Sequence, residues 1–562
     1  MRRQHLVVLL LPALLAGCAA IPTSGSIEFG TPVGADPNSQ VIRVIARPPQ
    51  PGMTPQEVVQ GFLDASASFE GDHAVARQYL TDSENSLWRP SDGVTVYDGV
   101  FAVVAGSTTT VQVTCNLYAF ISSDGSMRVA TPPRSAPFDF RVELVNGEWR
   151  IADAPSGLLL SRVDVDRSFR SFNLYFFNSN FESMVPDPRM IPLQDAGLAT
   201  TLMRDLVSGP SDWLAPAVRT AIPDGTTLVL DAVPIDAGIA RVDLDPRVLS
   251  TDDETRRAMS AQIAWTLRQV TAVSAVDIRV SGQALPVSGV SNPQPIGVWA
   301  SYDPDTPPFP TTPFALNGGR AIQISGSTSV RVAGGAGEGT PALSAIAVSS
   351  GGSQIAGIDE AGNLWRGGIT PDSPMAQMTY DQAMVYPQFD GSGNIWVLGT
   401  DGVPRLVSSG GVLSSVTIED RLTNASILGM SLSPDDSRMA LIVQRGPRRV
   451  LLLARVVARA GVFSLAGLRR VETVLSEVRA VAWNSSESVV ALAAAGASTP
   501  EVYEVDVARG TATSRGAPSD AVGIAASPGL AILVGTESGR LFSLEGDQWV
   551  PGAFGTSPNY AH

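Results

Sequence analysis

The sequence predicts a multidomain chain: an α+β domain, then an α/β domain, then an all-β propeller of five to six blades. Three observations predict it. Between residues 54 and 160 the apolar spacing passes from helical to strictly alternating. Between 168 and 285 helix-like and strand-like runs interleave. From 315 to 562 one strand–turn–strand pattern keeps returning, at offsets of 41, 43, 51 and 43 residues. Short strands repeating about every 40 to 45 residues are the mark of propeller blades.

Ahead of these domains the chain reads as an export signal, residues 1–17. Arg2 and Arg3 give a positive start, and Leu6 to Leu15 is an apolar run broken only by Pro12. Ten residues span roughly 15 Å as a helix, about half a hydrocarbon core, which is too short to cross a bilayer and right for a signal segment. The run ends at Leu15-Ala16-Gly17-Cys18, which resembles a bacterial lipobox. Small residues fit the peptidase, and only a thiol becomes the thioether to diacylglycerol. The resemblance implies cleavage between Gly17 and Cys18, S-diacylglycerol on Cys18 and acylation of its freed amino group; several acyl chains hold a protein stably at a membrane. A plain secretory signal beside a chance cysteine is the alternative. Residues 18–53, rich in Pro, Gly and Ser, read as a tether. No other segment has 18 uninterrupted apolar residues, so the remainder is expected to be soluble outside the cytoplasm.

The first domain, 54–160, opens with the capping box Thr54-Pro55-Gln56-Glu57 and a helix facing inward through Val58 and Phe62. Asp72 is expected to cap a second helix. Strands follow at Val94–Tyr97, Phe101–Val104, Val111–Ile121, Phe138–Val145 and Trp149–Ala152, with Asn146-Gly147 as a hairpin turn. This order resembles the NTF2-like fold. In the second domain, 168–285, Phe172–Phe177, Thr227–Val233, Ala240–Leu244 and Val276–Val280 read as strands. Asp195 and the box Thr251-Asp252-Asp253-Glu254 are expected to start helices. Residues 286–314 are proline-rich, a linker or an embellished entry to the next domain. The propeller repeat aligns on Val348, Phe389, Leu432, Trp483 and Ala526. That makes five blades, and strands around Ala321–Val332 supply a sixth or complete the ring.

Composition narrows the chemistry. The net charge of −15, or −17 without Arg2 and Arg3, argues against nucleic acid and against electrostatic docking on anionic lipid. All 39 basic residues are arginine, which removes phosphate loops of the Walker type, Schiff-base chemistry and serine–lysine dyads. Of three histidines, 5 leaves with the signal and 562 is the final residue, so His73 is the one expected inside a domain, facing solvent. Histidine-based catalysis would have to use it, and a multi-histidine metal site is not expected. Cys115, on an alternating strand, reads as a buried structural thiol. Asp390-Gly-Ser-Gly-Asn394 has a faint calcium-loop look but lacks spaced acidic ligands, so it reads as a β-turn. Asp435-Asp436, the most visible carboxylate pair, reads as an exposed turn. Trp365, Trp396, Trp483 and Trp549 read as interior packing. No catalytic residue, cofactor or metal is expected, and Cys18 is the one functional site named.

Two likenesses add to this. Leu206–Pro210, Val242–Asp245, Gln262–Leu267 and Val276–Gly282 resemble the GerMN module of sporulation and germination proteins, which implies assembly rather than catalysis. Lipobox, tether, α+β domain, GerMN-like module and propeller, in that order, resemble the LpqB lipoproteins of actinobacteria. That resemblance implies a protein anchored through its lipid to the outer face of the cell membrane, contacting the extracytoplasmic domain of a two-component sensor histidine kinase, in signalling tied to cell-wall homeostasis and division. An envelope assembly scaffold and a carboxylate-based cell-wall glycan hydrolase are the alternatives, since paired carboxylates need no histidine.

Overall fold

The computed structural model describes residues 46–131, 134–193, 197–472, 474–496 and 498–562. Gly17, Cys18, most of the expected tether and Asp195 lie outside them. The last tether residues are in place: Ala46 and Met53 pack on the first domain, and Tyr79 Oη donates to the Arg47 carbonyl at 2.8 Å.

The first domain packs helices on a six-stranded sheet. Helix α1 (Pro55–Ser66) begins with a complete capping box. The Glu57 carboxylate accepts from the Thr54 N–H at 2.7 Å, and the Thr54 hydroxyl accepts from the Glu57 N–H at 3.3 Å. It buries Val58, Val59, Phe62 and Leu63. Two short helices follow, α2 (Ala74–Arg77) and α3 (Asp82–Leu87). The expected cap at Asp72 does not form. His73, left-handed at φ 59°, precedes α2, and the Asp72 carboxylate takes Arg77 at 2.7 Å instead. The strands are β1 (Gly93–Ala105), β2 (Thr110–Ser122), β3 (Met127–Val129), β4 (Ser135–Val145), β5 (Glu148–Asp153) and β6 (Leu158–Ser161). Their order is β5-β4-β2-β1-β6, with β3 on β2 and β6 parallel to β1. The two segments expected at 94–97 and 101–104 are one strand bent by a bulge between Asp98 and Ala102. A helix α4 (Arg162–Ser168) leads out.

The second domain begins with a ribbon of β7 (Phe169–Phe177) and β8 (Met184–Pro192). Helix α5 (Leu198–Ser208) buries Leu202, Met203 and Leu206. A short β9 (Ile235–Asp236) pairs with β10 (Ile239–Leu244). Helix α6 (Asp253–Leu267) then crosses to β11 (Ala275–Val280), parallel to β10. The cap of α6 is Asp252, accepting from the Thr255 N–H, one residue later than the expected Thr251. Thr227–Val233 forms no continuous strand: Leu228 makes a single antiparallel bridge to Leu244 of β10, and Val233 is buried in the core. Val229 and Leu230 are exposed and have no face to bury, while Thr227 is held by the Asp245 carboxylate at 2.8 Å. The proline-rich stretch is structured: Val287 and Trp299 join this domain's core, and the Trp299 carbonyl accepts from Trp265 Nε1 at 2.9 Å.

The third domain is a ring of six β-sheets. The first strands of five blades are Leu343–Val348, Met384–Phe389, Ala425–Leu432, Ala480–Ser485 and Ala521–Ala525; they line the axis in turn. Thr556–Asn559 provides the sixth inner strand. It pairs with Phe314–Asn317, so residues near both ends of the domain share blade 1. The wide offset of 51 has a plain cause: blade 4 is built from long strands, Arg438–Arg445, Arg448–Arg459 and Val462–Arg470. Among the described residues no helix is long and apolar enough to cross a membrane.

Candidate functional site

The residues singled out by sequence fall into two groups. Cys18, with Gly17 before it, lies outside the described residues. The others are structural. His73 is buried, not solvent-facing: its Nδ1 stands 3.1 Å from the Ser66 carbonyl and its ring lies 4.8 Å from that of Phe69 and 5.8 Å from that of Trp88. Burial holds its pKa below the usual histidine value, against the pull of Asp72. Cys115 is buried too, and burial pushes its thiol up to about 11, far from a reactive thiolate.

The Asp390 turn is a clip for a tryptophan. One carboxylate oxygen accepts from the N–H groups of Ser392 and Asn394, at 3.0 and 2.9 Å. The other accepts from Asn394 Nδ2 at 2.9 Å and Trp396 Nε1 at 3.1 Å. Asp359 does the same for Ala361, Asn363 and Trp365 in the preceding blade. Four N–H donors satisfy each carboxylate, so its lone pairs are spent inside the turn. Trp396 and Trp483 are buried; Trp365 and Trp549 are half-buried. Trp483 Nε1 donates to the Ser431 carbonyl of the neighbouring blade, and Trp549 Nε1 to the Arg515 carbonyl. The expected exposed turn at Asp435-Asp436 is also otherwise. Asp435 is fully buried, paired with Arg438 and accepting from Ser433 and Ser437.

What the sheets build is an axial cavity of about 210 Å³, lined by the six inner strands. Each inner strand carries a register shift in its pairing, for example between Leu343 and Ala345 and between Ile427 and Gly429. Such bulges sharpen the twist and turn side chains toward the axis. His562, expected outside any domain, sits in the cavity wall. Its N–H donates to the Val348 carbonyl at 3.0 Å, and its carbonyl accepts from Ser350 at 2.6 Å. Its Nε2 lies 3.6 Å from Asp436 Oδ1, and neither atom has a hydrogen-bond partner. Asp436 Oδ2 accepts from the Gly391 N–H at 2.9 Å. Burial raises the Asp436 pKa and His562 opposes that rise. The cavity has room for a few waters or one small polar group, and of the pair His562 lines it, with Asp436 behind the imidazole.

The larger feature is how the domains join; the described residues form one compact unit. Arg189, buried on β8, donates to the Asp124 carbonyl at 2.7 Å in the first domain and pairs with Asp187 at 2.7 Å. Asp187 also accepts from the N–H and hydroxyl of Ser211, at 2.7 and 2.8 Å. Trp213 Nε1 donates to the Gly467 carbonyl of blade 4 at 2.6 Å, and the Trp213 carbonyl accepts from Arg455. Arg469 lies over the Trp213 ring at 3.7 Å. Asp305 accepts from the Ser486 N–H and hydroxyl in blade 5, and Tyr118 donates to the Arg509 carbonyl. Sequence reasoning missed all of these. Trp213, an aromatic in the polar loop after Ser208-Gly209-Pro210, was the one visible signal.

Three family models match the chain: the N-terminal domain of lipoprotein LpqB at residues 48–166, a sporulation and spore germination domain at 173–286, and the LpqB β-propeller domain at 319–561. A lipoprotein LpqB of Thermobifida fusca is 31% identical over 98% of this chain and 97% of its own. One from Streptomyces coelicolor is 28% identical over 97% and 96%. The first GerMN domain of the sporulation protein GerM from Bacillus subtilis aligns at 25% identity and a TM-score of 0.19, covering 22% of this chain and 97% of that one.

Proposed function

Because the chain belongs to the LpqB lipoprotein family, we propose that it is anchored through lipid on Cys18 at the outer face of the cell membrane. There it binds, and so modulates, the extracytoplasmic domain of a two-component sensor histidine kinase. It works by binding, not by catalysis. The observation that carries this reading is the interlocking of three binding modules into one unit through Arg189, Trp213 and Asp305. A body held this way presents its faces at fixed angles to a neighbour. Tethering confines it to a thin layer beside the membrane, which raises its effective concentration toward membrane partners. To modulate signalling it must prefer one state of the kinase, since equal affinity shifts nothing.

The test is cross-linking of the lipidated protein in intact cells, with identification of what is captured. A sensor kinase is expected, together with a change in kinase autophosphorylation when the two share a proteoliposome. Capture of envelope assembly factors alone would replace the kinase reading with a scaffold. Turnover of cell-wall glycan by the purified chain would replace it with an enzyme. The Cys18→Ser variant should lose fatty-acid labelling and appear in the medium.

A further inference from the structure

Blade 4 and the first domain enclose a concentration of positive charge that the rest of the chain does not lead one to expect. The chain carries −15 overall, yet a cleft of about 460 Å³ is lined by Arg128, Arg445, Arg448, Arg469 and Arg470 and by no carboxylate. The arrangement is built by register. The turn at Gly446-Pro447 sets Arg445 directly opposite Arg448, a like-charge pair that antiparallel strands ordinarily avoid. On the next strand of the blade, Arg469 and Arg470 stand opposite Leu453 and Leu452. Arg128 comes from β3 of the first domain, its guanidinium 5.2 Å from the Phe120 ring centroid.

Among the described residues, one of these five arginines reaches a carboxylate: Arg470, at 3.6 Å from the buried Glu472. Glu472 is itself held by the Leu475 N–H at 2.6 Å. Arg470 Nη2 also donates to the Leu475 carbonyl at 3.0 Å, but the Nε atoms of Arg469 and Arg470 are buried without a hydrogen-bond partner. Burial lowers the Arg469 pKa to about 10, and burial with the nearby Arg134 and Arg448 lowers that of Arg470; at neutral pH Arg469 stays charged. Guanidinium groups left in this state are matched by a ligand with several acceptor oxygens in fork geometry. Phosphate offers that better than a single carboxylate. A volume of this size exceeds a free phosphate ion and suits a phosphate carried on an organic group.

We propose that the cleft between the first domain and blade 4 is a binding site for a phosphate-bearing ligand, a phosphomonoester or phosphodiester, gripped by Arg128 from one domain and by Arg445, Arg448 and Arg470 from the other. Such a ligand would bridge the two domains. The site is separate from the axial cavity and does not depend on the kinase reading.

The experiment is calorimetric titration of the purified full-length chain, in neutral detergent, with pyrophosphate, glycerol phosphate and dihexanoyl phosphatidylglycerol, with dihexanoyl phosphatidylcholine as the zwitterionic control. Binding of at least one anionic probe is expected, weakening as salt rises. Preference for phosphatidylglycerol over glycerol phosphate would assign the ligand to lipid headgroups, and the reverse to a soluble ester. Arg445→Gln with Arg448→Gln, both exposed, should weaken binding about tenfold or more with an unchanged melting temperature, and Arg128→Gln should do likewise. In the unmutated chain the bound probe should protect Arg445 and Arg448 from phenylglyoxal. Absence of binding by all the anionic probes, or equal binding by the variants without protection, would overturn the proposal.

Discussion

His73 shows how a single buried group sets a pH dependence. Its folded pKa lies below the ordinary 6.5 because burial disfavours the imidazolium. As pH falls through 6.5 the unfolded chain takes up a proton that the folded domain refuses. Stability is therefore fully present above that value and declines below it. The urea midpoint of the first domain should drop between pH 7.5 and 5.5. His73→Asn, which tolerates the left-handed backbone, should flatten that slope even if it lowers the midpoint throughout. An unchanged slope would mean another group is responsible. At this scale the sequence was least legible. The spacing of Asp390, Asn394 and Trp396, repeated at Asp359, Asn363 and Trp365, was visible as a turn. That four N–H groups converge on each carboxylate was not, because periodicity carries no information on where a side chain's hydrogen bonds go.

Among elements, β8 was hidden by its own composition. Met184-Val-Pro-Asp-Pro-Arg-Met-Ile-Pro192 gives no clear strand signal, since proline removes a ladder donor. The register resolves this. Pro186, Pro188 and Pro192 share one parity with Met190, whose N–H points away from β7 to the Gly125 carbonyl at 2.8 Å. The opposing residues of β7 turn outward as well: Asn173 donates to Gln269 and Tyr175 to Thr266. The prolines thus occupy positions whose N–H groups the ribbon does not use. Val185 has the other parity, so Val185→Pro should destabilise the second domain by about 1–3 kcal/mol. Pro186→Ala, which removes a buried ring but no ladder bond, should cost less, about 0.4–1 kcal/mol. Denaturant titrations of the two variants decide it; equal losses would refute the parity argument. Strands with clean alternation, such as β2, needed no such help, because one buried face leaves its mark on every second residue.

Across the molecule, repeat spacing and motif order made the three modules legible, while the contacts that join them were not. Those contacts come from residues far apart in sequence, such as Trp213 and Gly467, whose local surroundings give no hint of a partner. Trp213→Ala removes the bond to Gly467 and the ring beneath Arg469, and should weaken the junction between the second domain and blade 4 by about 2–4 kcal/mol. Hydrogen exchange should rise in Gly467–Arg470 and around Ser211 while the blade cores stay protected. Exchange unchanged at both places would show that the junction does not rest on this side chain.

The pairing of Thr556–Asn559 with Phe314–Asn317 has a temporal consequence. During synthesis the first outer strands of the ring emerge long before the segment that clasps them. For that interval the edge at Phe314–Asn317 stays open, with apolar residues exposed and main-chain donors unmet. Closure over so long a stretch of chain is slow, and unpaired edges invite wrong partners. A nascent propeller of this design depends on being shielded until its final clasp is made.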